Sequence, residues 1–449
     1  MEYEYHIYRQ LNKFKGKDRV RFHMPGHKNS GEFRFFFPVA GIDVTELSYS
    51  DDLNCPSEVI KKAQDDLAEI TGAKRAYITT DGSSSGVFAM LYAASKFGNK
   101  IIVPRSSHKS VFNACRLLNL EPVIVQGAEP EGVLLPPDPV LIEKLIVNDV
   151  NIAGLIVTSP DYYGNAAPLE EYAAVLAKHK RFLFADGAHG AHLALDENRT
   201  GYCGVYADMW VDGAHKTLPA LTQGALVCVG NESLIPLAEE ALGIFRTTSP
   251  SYPVMASVEY GYKFLKNNPR IYERAKQNAA EFKKQMSGFS FYPSQDWCKL
   301  ALDCKPLSVS PEIIRAQLEK KGVYTEMNDG RYLLFYLSPM TEQLQLTELK
   351  NLLLGIVSQK KYKNTYKERL PVPSGDRTYS YLYALKQPWE YIPLNQSVGR
   401  MCAANAGITP PCLPVLIAGE IISPQAVKLL ESAEKTFGLT EGKIKVVKK

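Results

Sequence analysis

The sequence predicts an α/β fold built on a mostly parallel, doubly wound sheet. Three observations predict it: short apolar runs recur along the chain, helix-length segments separate most of them, and several runs give way to small, hydroxylic or charged residues. At 449 residues, 45% hydrophobic and 22% charged, the chain can bury a large core and form two or three domains.

Seven strands are expected, at Tyr77–Thr79, Ile101–Pro104, Pro122–Gln126, Gly154–Thr158, Phe182–Ala185, Met209–Val211 and Ala225–Val229. Ala76-Tyr-Ile-Thr-Thr-Asp-Gly-Ser-Ser-Ser-Gly-Val87 reads as the first strand, a hydroxylic turn and a helix running from Val87 to Phe97. A helix start carries unsatisfied backbone N–H groups and the positive end of a dipole, so this turn, with Ser84 and Ser85, suits a phosphate. The second strand leads to His108, an imidazole placed to stack on a ring face. The fifth gives way to Asp186-Gly-Ala-His-Gly-Ala-His192, where Gly187 and Ala188 let a flat ring lie against the backbone. The sixth runs into Trp210-Val-Asp-Gly-Ala-His-Lys216. A linking helix follows Tyr252-Pro253 toward Leu265, and from about residue 270 to 358 helices mix with strands such as Leu333–Tyr336.

These strand ends carry a recognisable chemistry. An amine held at a strand end and desolvated or flanked by a cation has the lowered pKa that a Schiff base needs, which singles out Lys216. A carboxylate at a nearby strand end, Asp186, can keep a pyridine nitrogen protonated. Phosphate cradle, ring stacker, pyridine acid and lysine follow one another along the chain, and the cofactor they fit is pyridoxal 5'-phosphate (PLP). Asp186, His189 and His192 also have a spacing seen in metal sites, but a third ligand with its own support is missing, and no metal is expected. Asp208 and Asp212, which flank the sixth strand, are expected to be solvated or capping acids.

In several rare strings the chain resembles the ornithine/lysine/arginine decarboxylase family of fold-type I PLP enzymes. They are Phe22-His-Met-Pro-Gly-His-Lys28, Thr45-Glu-Leu-Ser-Tyr-Ser-Asp-Asp-Leu53, the serine turn at 83–85, Ser107-His-Lys-Ser110, Asp186-Gly-Ala-His189 and Ala214-His-Lys-Thr-Leu-Pro-Ala220. The resemblance implies an aspartate aminotransferase-like large domain, a smaller α/β domain and a C-terminal α/β unit. The expected division is an N-terminal arm at 1–50, a PLP-binding domain at 51–265, a small domain at 266–360, a linker at 361–370 and a C-terminal domain at 371–449.

The implied reaction is decarboxylation of a basic amino acid, arginine before lysine before ornithine, to an amine that feeds polyamine synthesis. Lys216, His215, Asp186 and His108 are the implied catalytic residues, while Ser84, Ser85, Ala188 and His189 join them in holding the cofactor. Glu420, in Ile408-Thr-Pro-Pro-Cys-Leu-Pro-Val-Leu-Ile-Ala-Gly-Glu420, matches a glutamate that in relatives meets the distal cation of the substrate, with Asp51 and Asp52 as further candidates. Thr409, Cys412 and Ala418 depart from the family's version of that segment, and Gly213 stands where relatives commonly carry a phosphate-binding serine. Another PLP reaction, such as transamination or lyase chemistry, and a non-catalytic PLP-binding protein are the alternatives on this fold.

A net charge of +4 without a long basic tract argues against nucleic acid as a partner. Met1 to Lys17 is polar, no segment approaches a membrane span, and eight cysteines lack Cys-x-x-Cys spacing, as suits a cytoplasmic enzyme. The chain begins almost at the His-Met-Pro-Gly-His-Lys string, which implies a short form without an N-terminal wing domain, in a homodimer or dimer of dimers.

Overall fold

The seven apolar runs become seven strands of one sheet in a computed structural model: β1 (Arg75–Thr79), β2 (Lys100–Pro104), β3 (Glu121–Val125), β4 (Ile152–Thr158), β5 (Phe182–Gly187), β6 (Met209–Asp212) and β7 (Ala225–Val229). The structure describes residues 2–15, 38–367, 371–372, 379–409 and 413–449. The Phe22–Lys28 string, Cys412 and residues 368–370 of the expected linker lie outside them.

The chain divides into two compact units. One holds Met1–Ala93, Phe184–Ala280 and Leu337–Gln343; the other holds Ala94–Leu183, Glu281–Tyr336 and Leu344–Lys449.

In the first unit the sheet runs β1-β7-β6-β5. β7 is antiparallel to both β1 and β6, and β5 is parallel to β6, so β1, β5 and β6 end on the same edge. Every residue of β6 and β7 is buried, which explains why these strands read as continuous apolar runs rather than alternating ones. The helix Gly82–Ser95 packs directly on this sheet: a Cβ on Gly86 would stand 2.5 Å from Val211 Cγ2. It starts five residues before the expected Val87, because the serine turn is its first turn.

The helix Tyr252–Asn267 organises the same unit. Its buried Glu259 accepts the backbone N–H groups of His6 at 2.6 Å and Ile7 at 2.9 Å, capping the N-terminal helix His6–Phe14 from a distant part of the chain. Lys263, one turn on and fully buried, pairs with Glu259 at 2.9 Å and with Asp66 at 2.6 Å. A buried charge is tolerated only when compensated, and here three ionised groups share the duty.

In the second unit β2 is parallel to β3 and to β4. A three-stranded antiparallel sheet follows, in the order β8 (Lys299–Asp303), β10 (Tyr332–Tyr336) and β9 (Met327–Asn328). The C-terminal segment adds two small sheets. One is β11 (Trp389–Pro393), β16 (Lys443–Val447) and β15 (Leu439–Thr440); the other is β13 (Leu413–Leu416), β12 (Ala406–Ile408) and β14 (Thr436–Phe437). Leu394, Cys402, Val415, Ile422, Leu430 and Ile444 are part of their common core. Among the described residues no helix is long and apolar enough to cross a membrane.

Candidate active site

The site is built where β5 and β6 end side by side. Asp186 pairs in register with Val211 and Gly187 with Asp212, and the two backbones stay close beyond the last pair. A Cβ on Gly213 would stand 2.4 Å from the Ala188 carbonyl oxygen, a distance no side chain accepts without moving backbone. The glycine at 213 is therefore a steric requirement of this chain, and a serine does not fit there.

Two tight turns follow from these strand ends. After β5, Gly190 N–H closes on the Gly187 carbonyl at 2.7 Å; after β6, Lys216 N–H closes on the Gly213 carbonyl at 3.0 Å. The turns are tied to each other where His192 N–H reaches Thr217 Oγ1 at 3.3 Å. Between them Lys216 Nζ lies 3.1 Å from His189 Nε2. Lys216 is half-buried, and His189 is only 3% exposed.

Asp186 is buried at the same edge, with Oδ1 accepting the Ala188 N–H at 3.2 Å. His215 Nδ1 faces the Gly224 carbonyl at 2.9 Å, so that nitrogen is the donor and Nε2 is left to accept. Burial holds the His215 imidazole below its ordinary pKa, with the Gly224 hydrogen bond opposing it and the neighbouring Lys216 charge adding to it. Across the edge, β1 leads into Gly82, whose φ of +73° turns the chain into the helix Gly82–Ser95. Ser85 is buried, donating to the Gly82 carbonyl at 2.9 Å and lying 2.9 Å from Thr79 Oγ1, so its hydroxyl closes the turn. Ser84 is the exposed hydroxyl at this helix start.

A phosphorylated pyridine aldehyde fits these residues. The helix start offers N–H groups and Ser84 for a phosphate, Gly187 and Ala188 present no bulk against a ring, Asp186 supplies a buried carboxylate and Lys216 the amine.

Asp51 sits at φ +66° and accepts backbone N–H groups from Asp52, Ser57, Glu58 and Ile60 at 2.9, 3.0, 2.9 and 3.0 Å. Burial acts to raise its pKa, but these four donors outweigh it and the net shift is downward, as expected of a carboxylate that caps the helix Val59–Thr71. Asp52 is half-exposed, with Oδ1 accepting the Asn54 N–H at 2.8 Å.

In the second unit, His108 caps the helix Lys109–Leu117, its Nδ1 accepting the Ser110 N–H at 3.2 Å. Glu420 in that unit already has a cationic partner. Arg105, at the end of β2, meets it with both terminal nitrogens, Nη2 at 2.9 Å from Oε2 and Nη1 against Oε1, and Ile417 N–H adds a bond to Oε2 at 2.9 Å. Arg105 is 3% exposed and Glu420 1%, so this is a fully desolvated, two-pronged pair.

Asp212 differs from the expectation of a solvated or capping acid. It is fully buried, and its Oδ2 accepts Tyr202 Oη at 2.8 Å and Tyr262 Oη at 2.9 Å, while Trp210 Nε1 donates to Tyr202 Oη at 3.1 Å. Desolvation pushes its carboxyl up from 3.8 to about 7, with the tyrosine and tryptophan groups opposing only part of that rise. Tyr202 and Tyr262 are far from Asp212 in no regular spacing, so the sequence offered no signal for the cluster. The same is true of Arg105 and Glu420, 315 residues apart.

With this geometry in hand, comparison with known proteins decides the family. The description "Orn/Lys/Arg decarboxylase, major domain" matches residues 6–306, more than half of the chain. The chain belongs to the Orn/Lys/Arg decarboxylase family. It is a PLP-dependent amino acid decarboxylase. An uncharacterized protein of Bacillus subtilis is 28% identical over 99% of this chain and 97% of its own length. An arginine decarboxylase of the same organism is 26% identical, covering 96% of this chain and 93% of the relative. Among solved structures, the Francisella novicida lysine decarboxylase superposes with a TM-score of 0.83 at 16% identity, covering 99% of this chain and 81% of that one. The Escherichia coli constitutive lysine decarboxylase gives 0.78 at 18%, covering 98% and 82%. At those identities the structures speak for the fold, an α/β fold of the PLP fold-type I class.

Two predictions follow from the buried charges. Asp212 binds a proton in the folded state between its unfolded value near 3.8 and its folded value of about 7, so the folded protein should lose stability by a few kcal/mol as pH rises through that window. Asp212→Asn removes this slope, and urea unfolding of both proteins across the range checks it; parallel curves would show that the carboxyl does not titrate there. Glu420→Gln leaves the Arg105 guanidinium buried without its counter-charge and should cost about 3–5 kcal/mol in the same measurement. A loss of a few tenths would mean that the pair contributes nothing beyond its shape.

Proposed function

We propose that this decarboxylase acts on a basic amino acid, arginine ahead of lysine and ornithine, with PLP attached at Lys216, and yields an amine that feeds polyamine synthesis. The observation that carries the attachment is Lys216 Nζ held at 3.1 Å from a buried imidazole on the strand edge that also carries Asp186. The substrate order is supported by relatives described as arginine decarboxylases, which align along nearly the whole chain. A cytoplasmic homodimer belongs to the same reading.

When bound, PLP supplies an electron sink for the pair left at Cα after the carboxylate departs. The rest is the work of the chain. N–H groups at the start of the helix Gly82–Ser95, with Ser84, bind the phosphate. Asp186 holds a proton on the pyridine nitrogen, and burial at the strand end strengthens that interaction by keeping water away. Lys216 anchors the cofactor and afterwards holds a proton near Cα, while His215, held through Nδ1 by the Gly224 carbonyl, leaves Nε2 for a hydrogen bond. The distal cation of the substrate needs a carboxylate, since leaving it unpaired in a closed site costs several kcal/mol. With Asp51 engaged by four N–H groups and Glu420 by Arg105, Asp52 is the candidate with an oxygen to offer.

Incubation of the purified protein and PLP with arginine, lysine and ornithine separately, reading CO2 release and amine mass, tests the reaction. Agmatine formed fastest is the expected result; keto-acid products without CO2 would replace decarboxylation by transamination. Borohydride reduction of the loaded protein should leave the pyridoxyl group on the Lys216 peptide, and Lys216→Ala should lower kcat by about three orders of magnitude or more while the fold persists. A label found on another lysine would overturn the assignment.

A further inference from the structure

We propose that His189 is the proton partner of Lys216, taking the ammonium proton onto Nε2 so that the amine is free to react, and returning it when the amine is released. This goes beyond the proposed function and rests on its reading that Lys216 carries the cofactor.

The need for such a partner is arithmetic. A lysine with its ordinary pKa is an amine in roughly one molecule in a few thousand at neutral pH, whereas an imidazole titrates close to neutrality. A base within hydrogen-bonding distance of Nζ shortens the wait for the reactive form. His189 Nε2 is that atom, at 3.1 Å. For the transfer to balance, Nε2 begins unprotonated with the hydrogen on Nδ1, accepts one proton from Nζ, and the electron pair left on Nζ becomes the nucleophile.

The contact is a built one. His189 is 3% exposed, so solvent does not compete for Nε2. Its turn is closed by Gly190 N–H on the Gly187 carbonyl at 2.7 Å and continued by Leu193 N–H on the Gly190 carbonyl at 2.9 Å. The lysine turn is closed by Leu218 N–H on the Ala214 carbonyl at 2.8 Å. The two turns are tied to each other by His192 N–H on Thr217 Oγ1 at 3.3 Å, beside the close packing of Gly213 on the Ala188 carbonyl oxygen.

Other titratable groups surround the pair: Asp186 and His192 on the same segment, Cys203 and Asp212 against Gly187, and His215 next to Lys216. Asp186 accepts from Ala188, Asp212 from two tyrosines, and His215 faces Gly224. Asp212 titrates near neutrality and has to be separated from His189 in any pH measurement.

The test is the rate at which cofactor-free protein takes up PLP, followed by its visible absorbance between about pH 6 and 9, for wild type, His189→Gln and Asp212→Asn. Gln keeps a hydrogen-bond acceptor near Nζ and cannot carry the proton. The expected result is that His189→Gln moves the loading midpoint up by about one pH unit or more, recovers at high pH where the amine deprotonates unaided, and lowers kcat about tenfold or more with KM little changed. Asp212→Asn should follow the wild-type loading curve. Identical loading curves for wild type and His189→Gln would overturn the proposal, as would a shift produced by Asp212→Asn and not by His189→Gln. Borohydride labelling of the same samples keeps the two readings apart: a label away from Lys216 defeats the attachment, whereas a label on Lys216 with an unshifted curve defeats only the role of His189. If His189→Gln fails to fold by circular dichroism, His189→Asn takes its place with the same outcomes.

Discussion

The candidate site depends on how closely two parallel strand ends approach. β5 and β6 stay in register through Gly187 and Asp212, and their continuations touch where Gly213 meets the Ala188 carbonyl. That contact fixes where each turn begins, and the turns fix the side chains. Asp186 precedes the contact on one strand, Lys216 follows it on the other, and the turn closed by Gly190 N–H on the Gly187 carbonyl carries His189 to within 3.1 Å of the lysine amine. A sheet edge of this kind offers a rigid frame for reacting groups, since main-chain bonds rather than flexible side chains hold the distances.

The same economy governs the charges that the fold buries. Lys263 is answered by Glu259 and Asp66, Arg105 by Glu420, and Asp51 by four N–H groups. Asp212 is answered differently from these, because its partners are neutral hydroxyls and its charge is compensated only in part. Burial then acts on the proton instead, which is the usual outcome for an acid with too few donors. Each unit thus contains at least one buried acid held by partners distant in sequence.

Much of this was legible in the sequence because it is local. All seven strands of the large sheet fall within two residues of the apolar runs that marked them, since a buried parallel strand writes itself as a short uninterrupted apolar stretch. The placement of Lys216, Asp186 and the serine turn at strand ends was legible for a related reason: each follows or closes an apolar run. What escaped was long-range. Nothing within the Gly-Glu420 segment points to Arg105, and Asp212 looked like an ordinary flanking acid because Tyr202 and Tyr262 reach it only through the fold. Gly213 was visible as a departure from relatives, but its cause, a carbonyl oxygen from a neighbouring strand, is a fact of three dimensions.

The helix His6–Phe14 shows what such long-range dependence means for a short element. His6–Phe14 is nine residues long, too short to hold its shape alone in water, and among the described contacts its leading N–H groups are satisfied by Glu259. That carboxylate is 253 positions later, on a helix whose own packing requires the sheet. The helix therefore owes the satisfaction of its leading N–H groups to a carboxylate far along the chain, and it lies as a seal over that later element rather than standing as a unit of its own.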